Sequence, residues 1–152
     1  MSIAEIRTPT GLPPSIRVRL AGPRDCAELA GLLDDAAHAR EQVMNWLETP
    51  GTTLLVAQAE AGVLGVAVLV TRIMPKPGGG LQKVVEVDNL VVHRDRRGQR
   101  IGRRLLAAAV EWARQRRAAQ VEVLVGEANR DARRFYEAFG FAASVDRLVL
   151  AA

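Results

Sequence analysis

The chain is poor in cysteine, histidine, lysine and aromatic residues, and each shortage excludes something. Cys26 is the only cysteine among 152 residues, so no intrachain disulfide can form, which fits a reducing cytoplasm. His38 and His93 lie far apart, and neither CxxC nor HExxH occurs, so no metal site is expected. Aromatic residues make up 4% of the chain and sit in apolar contexts, which leaves no stacking platform for nucleic acid. No apolar run approaches the roughly 20 residues of a membrane span. Residues 1–15 lack the apolar segment of a signal peptide. Of the 21 basic residues only Lys76 and Lys83 are lysines. The positive charge is therefore carried by arginines, which keep it at any ordinary pH.

What remains is an ordinary globular composition, 49% hydrophobic and 25% charged, at a length that suits one domain. The net charge of +4 is modest and gathers on one central stretch. It argues for an anionic ligand more than for a general nucleic-acid coat. Residues 1–15 read as a loose leader, because Thr8-Pro9, Gly11 and Pro13-Pro14 disfavour regular structure. Residues 16–152 read as a single domain. Strict alternation marks a first strand at 16–20. Pro23 opens a helix with Leu29, Leu32 and Leu33 on one face, and a second helix spans 35–47. Residues 52–59 and 63–73 form a hairpin around a tight turn. A Pro/Gly loop covers 75–80 and a strand 83–93. A long helix spans 99–117, a strand 121–125, and a short helix starts at Asn129 and stops at Gly140. Two last strands are expected at 141–144 and 146–150. The order β-α-α-β-β-β-α-β-α-β-β predicts an α/β (mixed α+β) fold with helices on both faces of a mixed sheet. The strands at 83–93 and 121–125 are joined in parallel by a crossover helix.

The chain is organised around residues 86–106, EVDNLVVHRDRRGQRIGRRLL. A β-branched strand runs into an arginine-rich turn and then a helix with Ile101, Leu105, Ala108, Ala109 and Trp112 at helical spacing. A helix start offers unpaired N–H groups and the positive end of its dipole, which suits an anion. Arg94, Arg96, Arg97, Arg100, Arg103 and Arg104 make a multiply charged anion the natural guest. The competing reading is a solvated basic loop.

Two motifs resemble the GNAT superfamily of acyl-CoA-dependent N-acyltransferases. The first, LVVHRDRRGQRIGRRLL at 90–106, matches the family's strand followed by R/Q-x-x-G-x-G/A, with Arg100 standing where the family has its middle glycine. The second, Asn129-x-x-Ala132-x-x-Phe135-Tyr136-x-x-x-Gly140-Phe141, matches N-x-x-A-x-x-F-Y-x-x-x-G-F. The resemblance covers roughly residues 16–150. It implies a mostly antiparallel sheet whose fourth and fifth strands form a splayed parallel pair, with acetyl-CoA as cosubstrate and no metal. The backbone of Val91, Val92 and His93 would pair with the pantetheine arm like an added strand. The backbone N–H groups of Gly98, Gln99, Arg100, Ile101, Gly102 and Arg103 would hold the pyrophosphate. Arg97 and Arg134 either reach the adenosine 3′-phosphate or lie in solvent. Asn129 contacts the pantetheine, caps the following helix, or does both.

By the same resemblance Tyr136, the only tyrosine, protonates the departing CoA thiolate; the alternative is an aromatic packed beside Phe135 and Phe139. Glu86 and Asp88, two apart on one strand face, either attract and deprotonate an amine through water or pair with arginines. The implied reaction is direct transfer of acetyl to a primary amine in a ternary complex. The acceptor would be a small cationic molecule or a peptide amine, with no nucleic acid or membrane involved, and a homodimer is admitted. The alternatives are a non-catalytic CoA-binding regulator and a basic nucleic-acid-binding domain.

Overall fold

The computed structural model describes residues 16–35, 37–144 and 150–151. Its elements are β1 (Arg17–Leu20), α1 (Cys26–Ala30), α2 (Ala39–Glu48), β2 (Thr52–Ala59), β3 (Gly62–Pro75), β4 (Leu81–Val92), α3 (Ile101–Gln115), β5 (Gln120–Val123) and α4 (Arg130–Phe139). Single turns of 3₁₀ helix precede α1 (Pro23–Asp25) and lie between β4 and α3 (Arg94–Arg96). The strands form one sheet in the order β1-β2-β3-β4-β5, antiparallel except for the parallel β4–β5 pair. The mixed fold class and the parallel crossover are as expected.

Some boundaries differ. The helix after Pro23 is a 3₁₀ turn plus the five residues of α1, so Leu32 and Leu33 lie beyond its end. The helix expected over 35–47 begins at Ala39. Residues 141–144 are not a strand; Phe141 instead donates its N–H to the Tyr136 carbonyl at 3.0 Å, closing the end of α4. The strand expected at 146–150 falls almost wholly outside the described residues.

Apolar side chains pack on both faces of the sheet. On one face Leu55, Ala57, Ala67, Leu69, Val85 and Val87 meet the stripe Ile101, Leu105, Ala109 and Trp112 of α3. Each fully buried leucine or isoleucine there contributes about 1.5–3 kcal/mol. On the other face Leu54, Val56, Val66 and Val68 meet Cys26 and Leu29 of α1 and Val43 of α2. α1 and α2 thus cover β2 and β3. α4 is a thinner addition: none of its residues is buried, and it rests on the α3 side through Phe135, Tyr136 and Phe139.

Two details of β3 and β4 set up the site. Gly65 lies opposite Val92, and a side chain there would collide with the Val91 carbonyl and with Leu105. Only glycine lets α3 and β4 approach this closely. A bulge interrupts β4: Val68 pairs with Asn89 and Leu69 with Val87, which leaves Asp88 as the extra residue. Val85 and Val87 face α3 before the bulge; Leu90 and Val92 face it afterwards. Alternation has shifted by one residue.

Candidate functional site

β4 and β5 pair only from Val84–Gln120 to Val87–Val123. β4 then runs five residues further beside β3 alone, while residues 124–126 leave the sheet. The result is a wedge between two strands with an open β4 edge along one wall. Which peptide groups line that edge follows from hydrogen bonding. His93 donates its N–H to the Leu64 carbonyl at 2.7 Å, so it is spent on β3. Residues two apart face the same neighbour, so Val91 also points to β3, opposite Val66. Leu90 and Val92 turn their N–H and C=O groups into the wedge. Of the three residues expected on this edge, Val92 lies there; Val91 and His93 do not, and Leu90 takes their place. The place of Leu90 on this edge could not be read from the sequence, because the bulge that decides the parity depends on strand pairing.

The wedge leads to the start of α3. Arg100 is the N-cap residue, with φ 62° and ψ 18° in the left-handed region, and among the described residues no side chain caps the helix. The first N–H groups of a helix have no intrahelical partner, and among the described residues those of Ile101, Gly102 and Arg103 have no other acceptor. Gly98, at φ 82°, supplies the preceding reversal. Arg100 therefore adopts the backbone shape that a glycine would take more easily, which keeps the turn intact. A methyl built on Gly102 would touch Val92 Cγ2 and Phe135 Cζ at 3.6 Å and Leu90 Cδ2 at 3.9 Å. The wedge edge, the first turn of α3 and α4 therefore converge at Gly102.

The six arginines of the turn divide by role. Arg104 is buried, donates to the Ile16 carbonyl at 2.8 Å, and has its pKa lowered by burial. It ties α3 to the residue that precedes β1. Arg103 lies 5.3 Å from the centre of the Phe139 ring, Arg94 pairs with Asp34 at 3.3 Å, and Arg96 donates to Gln99. Arg97 and Arg100 are exposed, and among the described residues neither side chain makes a hydrogen bond or an ion pair. The His93 ring accepts the Asp95 N–H at 3.2 Å and so shapes the turn.

Asn129 accepts the Ala132 N–H at 3.1 Å, so it caps α4 as its residue type favours. Arg134 is exposed, 4.0 Å from Asp131. The Tyr136 ring meets Phe135 and Phe141 edge-on, with centroids 5.2 and 5.5 Å away. Burial raises its pKa above the ordinary 10.0, so the phenol keeps its proton through the physiological range. Glu86 is 8% exposed and bonded to Arg72 Nη2 at 2.6 Å, whereas Asp88 is exposed and accepts from Asn89 Nδ2 at 2.9 Å. The two acids are therefore unlike: one is buried and paired, the other is open at the bulge.

Two hollows lie elsewhere. One of about 380 Å³ is lined by Glu28, Leu32, Gly62, His93, Asp95 and Arg96; the other, of about 590 Å³, lies along Arg17, Arg19 and Asp25. Among the described residues no helix is long and apolar enough to cross a membrane.

A parallel pair thus splays beside a glycine-flanked helix start that no side chain caps among the described residues. Residues 24–141 match the Acetyltransferase (GNAT) family, and the chain belongs to it. Solved structures agree in fold. The chain is similar to a ribosomal-protein-alanine N-acetyltransferase from Brucella melitensis biovar Abortus 2308 (TM-score 0.75, 23% identity, 90% of this chain and 99% of that one). It is similar to a tetramutant of the BH1408 protein from Bacillus halodurans (TM-score 0.74, 23% identity, 89% and 99%). It also resembles aminoglycoside N-acetyltransferase AAC(6′)-Iy in complex with CoA (TM-score 0.73, 18% identity, 93% and 98%). No curated protein matches the sequence.

Proposed function

We propose that the protein is an N-acetyltransferase that moves an acetyl group from acetyl-CoA to a primary amine by direct attack. The observation that carries this reading is a set of backbone donors that have no partner among the described residues. It runs from Leu90 and Val92 on the wedge edge to Ile101, Gly102 and Arg103 at the start of α3. Such a set fits a ligand that is peptide-like at one end and polyanionic at the other. Acetyl-CoA, when bound, supplies an activated thioester.

Leu90 and Val92 hold the pantetheine as an added strand would, and one of their N–H groups steadies the thioester oxygen as negative charge develops there. The α3 turn holds the pyrophosphate, with Gly98, Gln99 and Arg100 completing the loop. Arg97 and Arg100, whose side chains have no partner among the described residues, meet the remaining phosphate charge. Tyr136, kept protonated by burial, gives its proton to the departing thiolate. Asp88 is the acid free to take the amine's proton through water, because Glu86 is engaged by Arg72. Much of the rate comes from holding the two reactants in line.

Thermal shift with acetyl-CoA, free CoA and ATP tests the reading. Each ligand at about a hundredfold over its Kd should add roughly 2.7 kcal/mol if it binds the native state alone. Stabilisation by both CoA species and not by ATP is the expected result. No stabilisation by either CoA species would sink the proposal.

A further inference from the structure

β5 holds to β4 from Val84–Gln120 to Val87–Val123 and no further. One rung below the last, Glu86 and Glu122 stand directly opposite each other, on the face turned away from α3. Like charges opposed across two strands weaken the pairing. Glu86 is buried, so water screens this pair poorly. Left to themselves, the two acids would part the strands lower than they do part.

Arg72 answers the opposition from a third strand. It faces Val84 on β3, beside Glu86 on the same face. Its Nη2 lies 2.6 Å from Glu86 Oε2 and 2.9 Å from Glu122 Oε2, so one nitrogen reaches over β4 to β5. Among the described residues no second cation pairs with either acid. The Nε of the same guanidinium is buried and meets no acceptor among the described residues, so the two acids orient the group and its other donors do not. Gln120 steadies the far carboxylate, donating from Nε2 to Glu122 Oε1 at 2.5 Å.

The rung where pairing stops governs both walls of the wedge. On β4 it leaves Leu90 and Val92 with an open edge. On β5, Val123 leads through residues 124–129 to α4, so its placement sets where Asn129 and Tyr136 begin. One strand residue is about 3.3 Å. A misplacement of about 1 Å already costs up to a hundredfold in a positioned reaction, so one lost rung is a large error.

We propose that Arg72 is a positioning residue: by neutralising the opposed Glu86 and Glu122 it fixes the rung at which β4 and β5 part, and with it the fit of the wedge to the pantetheine arm. The inference rests on the acetyltransferase reading and adds a residue that acts on that site through β5.

Amide hydrogen exchange on the protein without CoA tests the clamp independently of any ligand. Ala119 donates its N–H to the Lys83 carbonyl at 2.8 Å, so the N–H groups of Val121 and Val123 also face β4 and serve as probes. In Arg72→Met their exchange, measured relative to the β2 amides, should quicken by about tenfold, and calorimetry should show CoA binding about tenfold more weakly. Arg72→Met/Glu122→Gln removes the opposition and should bring both values to within about threefold of wild type. A general loss of stability would not be rescued in this way. Unchanged relative exchange or unchanged CoA affinity in a folded Arg72→Met protein would overturn the inference, as would a double variant that recovers neither exchange nor folding. Quickened exchange with full rescue, in a protein whose wild type binds no CoA, would leave the clamp standing and remove the acetyltransferase reading.

Discussion

A methyl group added at Gly65 would sit 2.8 Å from the Val91 carbonyl oxygen, 3.0 Å from Leu105 Cδ1 and 3.5 Å from Ile101 Cγ2. The first contact is with backbone, held in the β3–β4 ladder, and cannot be relieved by a rotamer change. Overpacking of this kind costs about 1–3 kcal/mol. Replacing a strand glycine also returns roughly 0.5–1 kcal/mol of backbone entropy. The net for Gly65→Ala is a loss of about 1–2 kcal/mol, or a fall in Tm of about 2–8 °C at this size. The strain falls on the Val91 peptide and the first turns of α3, so affinity for CoA should drop as well. Gly102→Ala is the matched control. Its methyl meets only ordinary contacts at 3.6 Å and beyond, and alanine favours a helix over glycine by up to about 1 kcal/mol. That variant should keep or raise its Tm, so any loss of CoA affinity would report on the ligand alone. Differential scanning fluorimetry with and without CoA measures both. An unchanged or raised Tm for Gly65→Ala would refute the argument that close approach requires glycine here.

Tyr136→Phe should lower turnover on the order of a hundredfold while acetyl-CoA affinity stays nearly constant, and unchanged turnover would remove Tyr136 from the chemistry. Arg100→Gly relieves a left-handed conformation worth about 1–2 kcal/mol, less the entropy of a freer unfolded chain. Its Tm should rise by about 1–4 °C, and a fall would mean that the Arg100 side chain supports the turn. Asp25 is held below its ordinary 3.8, first by its hydrogen bond from Arg19 and then by the Gly22 N–H, against the opposing effect of burial. A lowered carboxylate stabilises the fold above its unfolded pKa and ceases to do so as pH falls through the folded value. Thermal melts should therefore show an acid-side loss beginning near pH 4, smaller in Asp25→Asn.

The strand-turn-helix at the centre was legible because each part has a local cause. β-branched residues run to Val92, apolar residues vanish across the arginine turn, and Ile101, Leu105 and Trp112 recur on one face and are all buried. The motif from Asn129 to Phe141 was legible for the same reason, down to the cap that Asn129 provides. What the pattern could not show is pairing. The bulge at Asp88 arises from the β3–β4 register, and it decides that Leu90 joins Val92 on the open edge. Arg104 reads as one more cation of the turn, yet its place on the inner side of α3 commits it to Ile16. Gly65 gives no signal in an otherwise apolar strand, since only the nearness of Val91 and Leu105 makes it necessary. Glu86 acquires Arg72 as a partner from a neighbouring strand, 14 positions earlier in the sequence.

The divergence of β4 from β5 has a further consequence, for association between molecules. Open strand edges are templates on which another chain can pair, and sheets usually expose them only at their margins. Here an edge lies inside the sheet, between Leu90 and Val92 on one side and the departing residues 124–126 on the other. On the proposed reading the same edge that would pair with a pantetheine arm is also one on which an extended peptide could pair. A bound cosubstrate would then act as a plug, keeping stray strands out of the sheet while it waits for an acceptor.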